Sequence, residues 1–213
     1  MPKMQVLCQA FKGLKVIVLG DIMLDSYQWG KVQRISPEAP VPVIEINREE
    51  YRLGGAANVA LNIASLGAEV YCVGLTGKDS TAKIIHKLFN EKGLNTEGLV
   101  ADAARKSTIK TRIGAVNQQI VRIDIEDTFY PNEKISARLI KSIKKELKNC
   151  DFLVIEDYNK GLLSPEIISA TLKLCKEYRV GVSVDPKQKN FFAYEGVEIF
   201  KPNYKELMLN LGL

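Results

Sequence analysis

The chain carries one histidine, one tryptophan and four cysteines in 213 residues, and no apolar run nears the roughly 18 residues a membrane helix needs. The lone His86 sits in the helical pattern TAKIIHKLFN with no cysteine, aspartate or second histidine beside it. It reads as a surface or half-buried helix residue, not as a metal or acid–base group. Cys8, Cys72, Cys150 and Cys175 are spaced by 64, 78 and 25 residues, which excludes CxxC and zinc-finger patterns. Each lies in or beside an apolar stretch and reads as a small buried hydrophobe in a reducing compartment. The opening MPKMQVLCQAFKG lacks a signal-peptide cleavage pattern, so a cytoplasmic protein without a membrane partner is expected. Charge of one sign is also scarce: 30 basic residues against 25 acidic leave a net +5, scattered except between Arg138 and Lys148. That balance gives no ground for a nucleic-acid partner.

What the chain does have is enough apolar content, 46%, for one large or two small domains with a real core. Short β-branched runs, KVIVLG (15–20), EVYCVG (69–74), DFLVIE (151–156), GVSVD (181–185) and VEIFKP (197–202), alternate with helical patterns at 56–66, 80–92, 132–148 and 165–178. This rhythm predicts an α/β fold, a mostly parallel sheet covered by helices. In the third helix Ile135, Leu139, Ile140, Ile143 and Leu147 form one stripe, which turns the basic run outward as a solvated face. Two stretches, 39–54 and 107–126, alternate apolar and polar residues with period two, and the second turns at Gly114 to Asn117. They predict a small inserted antiparallel sheet, a lid or a dimerisation edge. A last helix opens at Asn203, with Glu206 placed as a capping-box partner, and stops at Leu213. Two turns are a poor end for an α/β domain, so the chain is expected to be incomplete.

Loops at the carboxyl ends of parallel strands are where such sheets bind ligands. Here these ends carry Gly20-Asp21-Ile22-Met23-Leu24-Asp25, Asp157-Tyr158-Asn159-Lys160-Gly161, Asp185-Pro186-Lys187 and Lys201-Pro202-Asn203. The paired glycine of Gly54-Gly55-Ala56-Ala57-Asn58 has neither a GK[ST] ending nor a GxGxxG spacing, so it is neither a P-loop nor a dinucleotide fingerprint. Carboxylates and amides beside bare backbone suit a polyol: Asp accepts from two hydroxyls and Asn both donates and accepts. Gly54 and Gly55 would admit a sugar, with Asn58 one turn into the helix. Tyr27 and Trp29 either line that pocket or pack.

In this order GDIMLD, RISPEAPVPV, GGAANVALNIASLG, VGLTGKD, NQQIVRID, EDYNKG, DPK and KPNYKE closely resemble the ribokinase (PfkB) carbohydrate kinase family, and within it the kinases of heptose 7-phosphate. The resemblance implies a three-layer ribokinase-like sandwich with a small β lid at about 39–54 and 107–126. Residues 1–213 would be the N-terminal portion of a single kinase domain. It implies that Asp25, Gly54, Gly55, Asn58 and Asp157 hold the sugar, and that Asn203 and Glu206, matching an NxxE motif, organise Mg²⁺ and the ATP phosphates mostly through water. Arg34, Lys110, Arg112, Arg122 and Lys187 are the candidate cations for the phosphate of a sugar-phosphate substrate. A homodimer through the lid is also implied. The implied reaction moves the γ-phosphoryl of ATP to C1 of D-glycero-D-manno-heptose 7-phosphate, towards ADP-heptose and lipopolysaccharide. Alternatives are a kinase of this family for another sugar or a nucleoside, or a non-catalytic binding or dimerising module. The family's catalytic Asp belongs to a GxGD motif, and no GxGD occurs in these 213 residues. The chain alone is therefore expected to be inactive as a kinase.

Overall fold

The computed structural model describes residues 9–115 and 118–212. Its body is a six-stranded sheet ordered β10-β9-β8-β1-β4-β5 and parallel throughout, from β1 (Lys15–Gly20), β4 (Glu69–Thr76), β5 (Leu99–Ala101), β8 (Phe152–Glu156), β9 (Gly181–Asp185) and β10 (Ile199–Phe200). Successive side chains of a strand point to opposite faces, so β1 feeds two cores. Ile17 and Leu19 meet the face covered by α3 (Glu133–Leu147) and α4 (Pro165–Tyr178), while Val16 and Val18 meet the face covered by α1 (Ala56–Ser65) and α2 (Ser80–Glu91). Each fully buried aliphatic side chain in these layers stabilises by roughly 1.5–3 kcal/mol. The α3 stripe buries Ile135, Leu139, Ile143 and Leu147 and leaves Ile140 half-buried, with Lys141, Lys144, Lys145 and Lys148 in solvent. His86 is half-buried on α2.

The helices start where their caps place them. Asp79 accepts from Ala82 at 2.8 Å, Asn132 from Ile135 at 3.0 Å, and Ser164 from Ile167 at 3.3 Å with Pro165 in the first turn. The final helix, α5 (Tyr204–Leu211), opens with a reciprocal capping box between Asn203 and Glu206. It buries no residue, and Leu207, Leu209 and Leu211 are exposed with Ile199 and Phe200 of the neighbouring edge strand β10. Cys72 and Cys175 are buried, Cys150 is half-buried, and all three are free thiols; Cys8 lies outside the described residues.

The lid departs from the sequence expectation in three ways. GDIMLD is not a loop: Asp21 alone joins β1 to β2 (Ile22–Ile35), which pairs antiparallel with β3 (Pro42–Gly55). The lid sheet, ordered β3-β2-β6-β7, is mixed and not antiparallel, because β2 runs parallel to β6 (Thr108–Ala115). Of the turn expected at Gly114 to Asn117, Gly114 and Ala115 belong to β6, which pairs antiparallel with β7 (Gln118–Ile125), and 116–117 lie outside the described residues. Ile22, Met23, Leu24 and Ser26 are all buried, so the first half of β2 shows no period of two and hides its strand character. β5, three residues long, was equally without a signal.

Candidate functional site

Strand β2 carries Asp25 and Tyr27 on one face, opposite Arg52 and Glu50 of β3 and beside Lys110 and Arg112 of β6. Arg112 donates to Asp25 Oδ1 at 2.5 Å, a charge-assisted contact that orients the carboxylate. The guanidinium carbons of Arg52 and Arg112 lie 5.0 and 5.2 Å from the centre of the Tyr27 ring, so the tyrosine is bracketed by cations. A Cβ at Gly54 would stand 2.5 Å from Asp25 Oδ2 and 2.9 Å from Met23 Cγ, and one at Gly55 (φ +57°) would stand 2.3 Å from the Asp21 carbonyl. The paired glycine is thus needed where β3 crosses under the Asp25 carboxylate and turns into α1. Asn58, at the third position of α1, is exposed. Trp29 packs across Gly114, where a Cβ would meet its ring at 2.4 Å.

The loop after β8 is organised from beneath. Asp21, 3% exposed, accepts the N–H groups of Tyr158 and Lys160 on Oδ2 at 2.9 and 3.0 Å and that of Leu162 on Oδ1 at 3.2 Å. Burial pushes its carboxyl above the ordinary value against the pull of these bonds, with nearby Asp157 adding to the rise. Asp157 does not open to the rim as the resemblance implied. It is 1% exposed, with Oδ1 taken by the Asn159 N–H at 2.8 Å and Oδ2 by Tyr194 Oη at 2.6 Å and Asn190 Nδ2 at 3.0 Å. The physical reason is that a buried carboxylate needs donors, and the 188–194 segment supplies them. Sequence reasoning had no access to these partners, which stand more than 30 residues from Asp157 in the chain.

At the far end of the rim, Glu156, Tyr158, Asp185, Lys187, Lys201 and Glu206 gather. Lys187 pairs with Glu206 and lies over the Tyr158 ring at 5.5 Å; Lys201 reaches Asp185 at 3.4 Å. Burial and then the Asp185 charge raise the Glu156 carboxyl to about 7, and burial with Glu156 beside it pushes the Tyr158 phenol to about 12. For Glu206 burial opposes ionisation, but Lys187 and the Asn203 N–H hold its carboxyl below the ordinary value. Lys201 stands at the rim as its strand-end position in the sequence suggested; Glu156 is a rim group that the sequence reading did not single out.

Two of the other expected cations are engaged in ion pairs, and the third stands far out on the lid. Lys110 meets Asp124 at 2.9 Å and Glu126 at 3.4 Å, and Arg122 meets Asp124 at 3.0 Å. Arg34 is exposed near the outer end of β2, nine residues past Asp25, which is about 30 Å along an extended strand. The structure therefore brings Asp25, Gly54, Gly55 and Arg112 together, and separately Lys187, Asn203 and Glu206.

A parallel body with a sheet lid, an acidic side chain at the base of that lid and a mixed-charge cluster at the strand ends define an α/β protein with a polar rim beneath a β-sheet lid. The chain belongs to the pfkB family of carbohydrate kinases, whose sequence profile matches residues 14–212. It is 42% identical over 197 residues to the "Bifunctional protein HldE" of Pelobacter propionicus, covering 92% of this chain and 40% of that protein. It is 40% identical over 199 residues to the protein of the same name from Helicobacter pylori strain J99, covering 93% and 43%. The chain thus spans about two fifths of the curated relatives it matches. In fold it is similar to phosphofructokinase-2 from Escherichia coli in complex with fructose-6-phosphate (TM-score 0.69, 18% identity, 93% of this chain and 64% of that one). It is also similar to Arabidopsis thaliana ribokinase complexed with ribose and ATP (TM-score 0.67, 16% identity, 94% and 63%). Among the described residues no helix is long and apolar enough to cross a membrane.

Proposed function

We propose that this chain is the sugar-binding, N-terminal part of an ATP-dependent kinase domain that phosphorylates D-glycero-D-manno-heptose 7-phosphate at C1, a step towards ADP-heptose and lipopolysaccharide. The observation that carries the sugar reading is the Asp25 carboxylate, braced by Arg112 and left uncrowded by Gly54, on the lid strand that rises from the carboxyl end of β1. The choice of a heptose phosphate rests on RISPEAPVPV and GGAANVA in the sequence. Arg112, paired with Asp25, and Arg52, paired with Glu50, flank Tyr27 beside Asp25 and are the cations assigned to the substrate's own phosphate.

The strand-end cluster fits the nucleotide. Lys187 and Lys201 offer cations to phosphate oxygens. An Mg²⁺ that keeps its waters would touch Glu206 and Asn203 through them. When bound, Mg²⁺ would neutralise charge on the transferring phosphoryl group. The base that would accept the sugar hydroxyl's proton is the absent GxGD aspartate, so the chain alone is expected to show no turnover with ATP, Mg²⁺ and heptose 7-phosphate.

Calorimetric titration tests the reading. Heptose 7-phosphate should bind the wild-type chain and bind Asp25→Asn roughly 10- to 100-fold more weakly, since one charge-assisted acceptor is lost. Equal affinity in the two proteins, or tighter binding of ribose or fructose 6-phosphate, would overturn it. A second reading concerns assembly: Val121, Ile123 and Ile125, spaced by two on the edge strand β7, are all exposed. That apolar row favours a homodimer formed through the lid.

A further inference from the structure

Asp21 stands where the lid leaves the body. Its N–H donates to the Glu156 carbonyl at 3.2 Å, and its own carbonyl accepts from Ala56 at 3.0 Å, where β3 has just returned into α1. Its carboxylate meanwhile holds three N–H groups of the 157–162 loop. That loop takes conformations an unsupported segment would not keep: Asn159 has φ +56°, and Gly161, at φ +88°, lies so close to the Phe129 carbonyl that a Cβ would meet it at 2.3 Å. From the other side Arg105, 8% exposed, donates to the carbonyls of Phe129 at 2.6 Å and Lys160 at 3.4 Å. Held in this way, Lys160 extends its ammonium to Glu126, just past β7 in the lid, at 2.7 Å, and the same glutamate receives Lys110 of β6 at 3.4 Å. Although burial raises the Glu126 carboxyl, Lys160 and Lys110 bring it below its ordinary value, as expected of an ion pair that is in place.

Packing alone would not select a carboxylate at position 21, because a buried charge is costly and an apolar side chain would fill the space with less penalty. What a carboxylate offers is several acceptor sites in one place for amides that must be held at fixed spacing. We propose that Asp21 is a positioning residue: by fixing the 157–162 loop it seats Lys160 against Glu126 and so sets how the lid closes over the Asp25 site. The consequence for sugar affinity rests on the sugar-kinase reading; the coupling of loop to lid does not.

Amide hydrogen exchange of the chain tests the coupling, with α3 as an internal reference. Asp21→Asn puts an amide N–H₂ where an acceptor was, and exchange should rise at least tenfold both in 157–162 and in 118–126, with 133–147 unchanged. Lys160→Met should raise exchange in 118–126 only. The double variant should loosen the lid no further than Asp21→Asn does, and a merely structural role for Asp21 would not produce that order. Heptose 7-phosphate affinity should fall about tenfold in each single variant and no further in the double. The proposal is overturned if Asp21→Asn frees the loop but not the lid, or if Lys160→Met leaves lid exchange at the wild-type rate. Should Asp21→Asn not fold, Lys160→Met and Glu126→Gln decide alone, wild-type lid exchange in both being the contrary result. A wild-type chain that binds no heptose 7-phosphate removes the substrate reading and leaves the exchange arms to decide this one.

Discussion

Glu156 ends strand β8 with Asp185 across the ladder and little water around it. Its carboxyl rises from 4.5 to about 7, with burial the larger cause. In the unfolded chain the group ionises near 4.5; in the folded one it holds its proton until about 7. The folded state therefore binds more protons in that window, and stability falls as pH rises from about 4.5 to 7, then stays level. Glu156→Gln should remove this slope and be more stable than wild type at pH 8 by up to about 3 kcal/mol, measured as urea midpoints at pH 5, 6, 7 and 8. Parallel midpoint curves for the two proteins would refute the assignment. At this scale the sequence was partly legible. That Asp25, Gly54 and Gly55 stand together was legible, because a carboxylate and bare backbone suit one ligand, and the structure places a Gly54 Cβ against Asp25. The inward turn of Asp157 and the clamp at Asp21 could not, since both depend on partners 33 to 141 residues distant.

Elements were legible where a stripe or an unbroken β-branched run marked them. The α3 stripe, buried on one side, and the five expected core strands, read as short β-branched runs, stand within two residues of their predicted limits, although β10 buries neither of its residues. β2 was missed because its inner half is buried on both faces and its outer half is mostly polar. Helix α5 is the contrary case: its capping box was visible in Asn203 and Glu206, although no side chain of the helix is buried. Capping here acts on local order. Asn203→Ala should cost the helix about 1 kcal/mol, seen as faster amide exchange in 204–211. Global unfolding should move by less than about 0.5 kcal/mol, since helix ends open before the core does. A full 1 kcal/mol loss of global stability would mean that α5 is part of the cooperative unit.

For the molecule as a whole, the exposed row on β7 makes association the property to measure. If the lid sheet pairs with that of a second copy, Ile123→Lys places a charge in the middle of the row and should shift sedimentation from two chains to one at about 10 µM. A wild-type chain that already sediments as a monomer at that concentration would exclude the lid contact. The α/β body and the presence of a lid were foreseeable from strand and helix rhythm. The mixed order of the lid sheet was not, because periodicity within a strand says nothing about which neighbour it chooses.

The lid's largest hairpin begins at residue 22 and ends at residue 55, and its ends are tied together by the β2–β3 pairing of Ile22 with Gly55 and by the hydrogen bond from the Ala56 N–H to the Asp21 carbonyl. Residues 22–55 thus leave and rejoin the body at one point, with Ile22, Leu24 and Leu53 of the inner end packed into the core beneath and β2 paired along β6. The outer end of this hairpin is free to vary in length or surface without redrawing the sheet beneath, so long as those three side chains, the glycine at the exit and the match to β6 are kept.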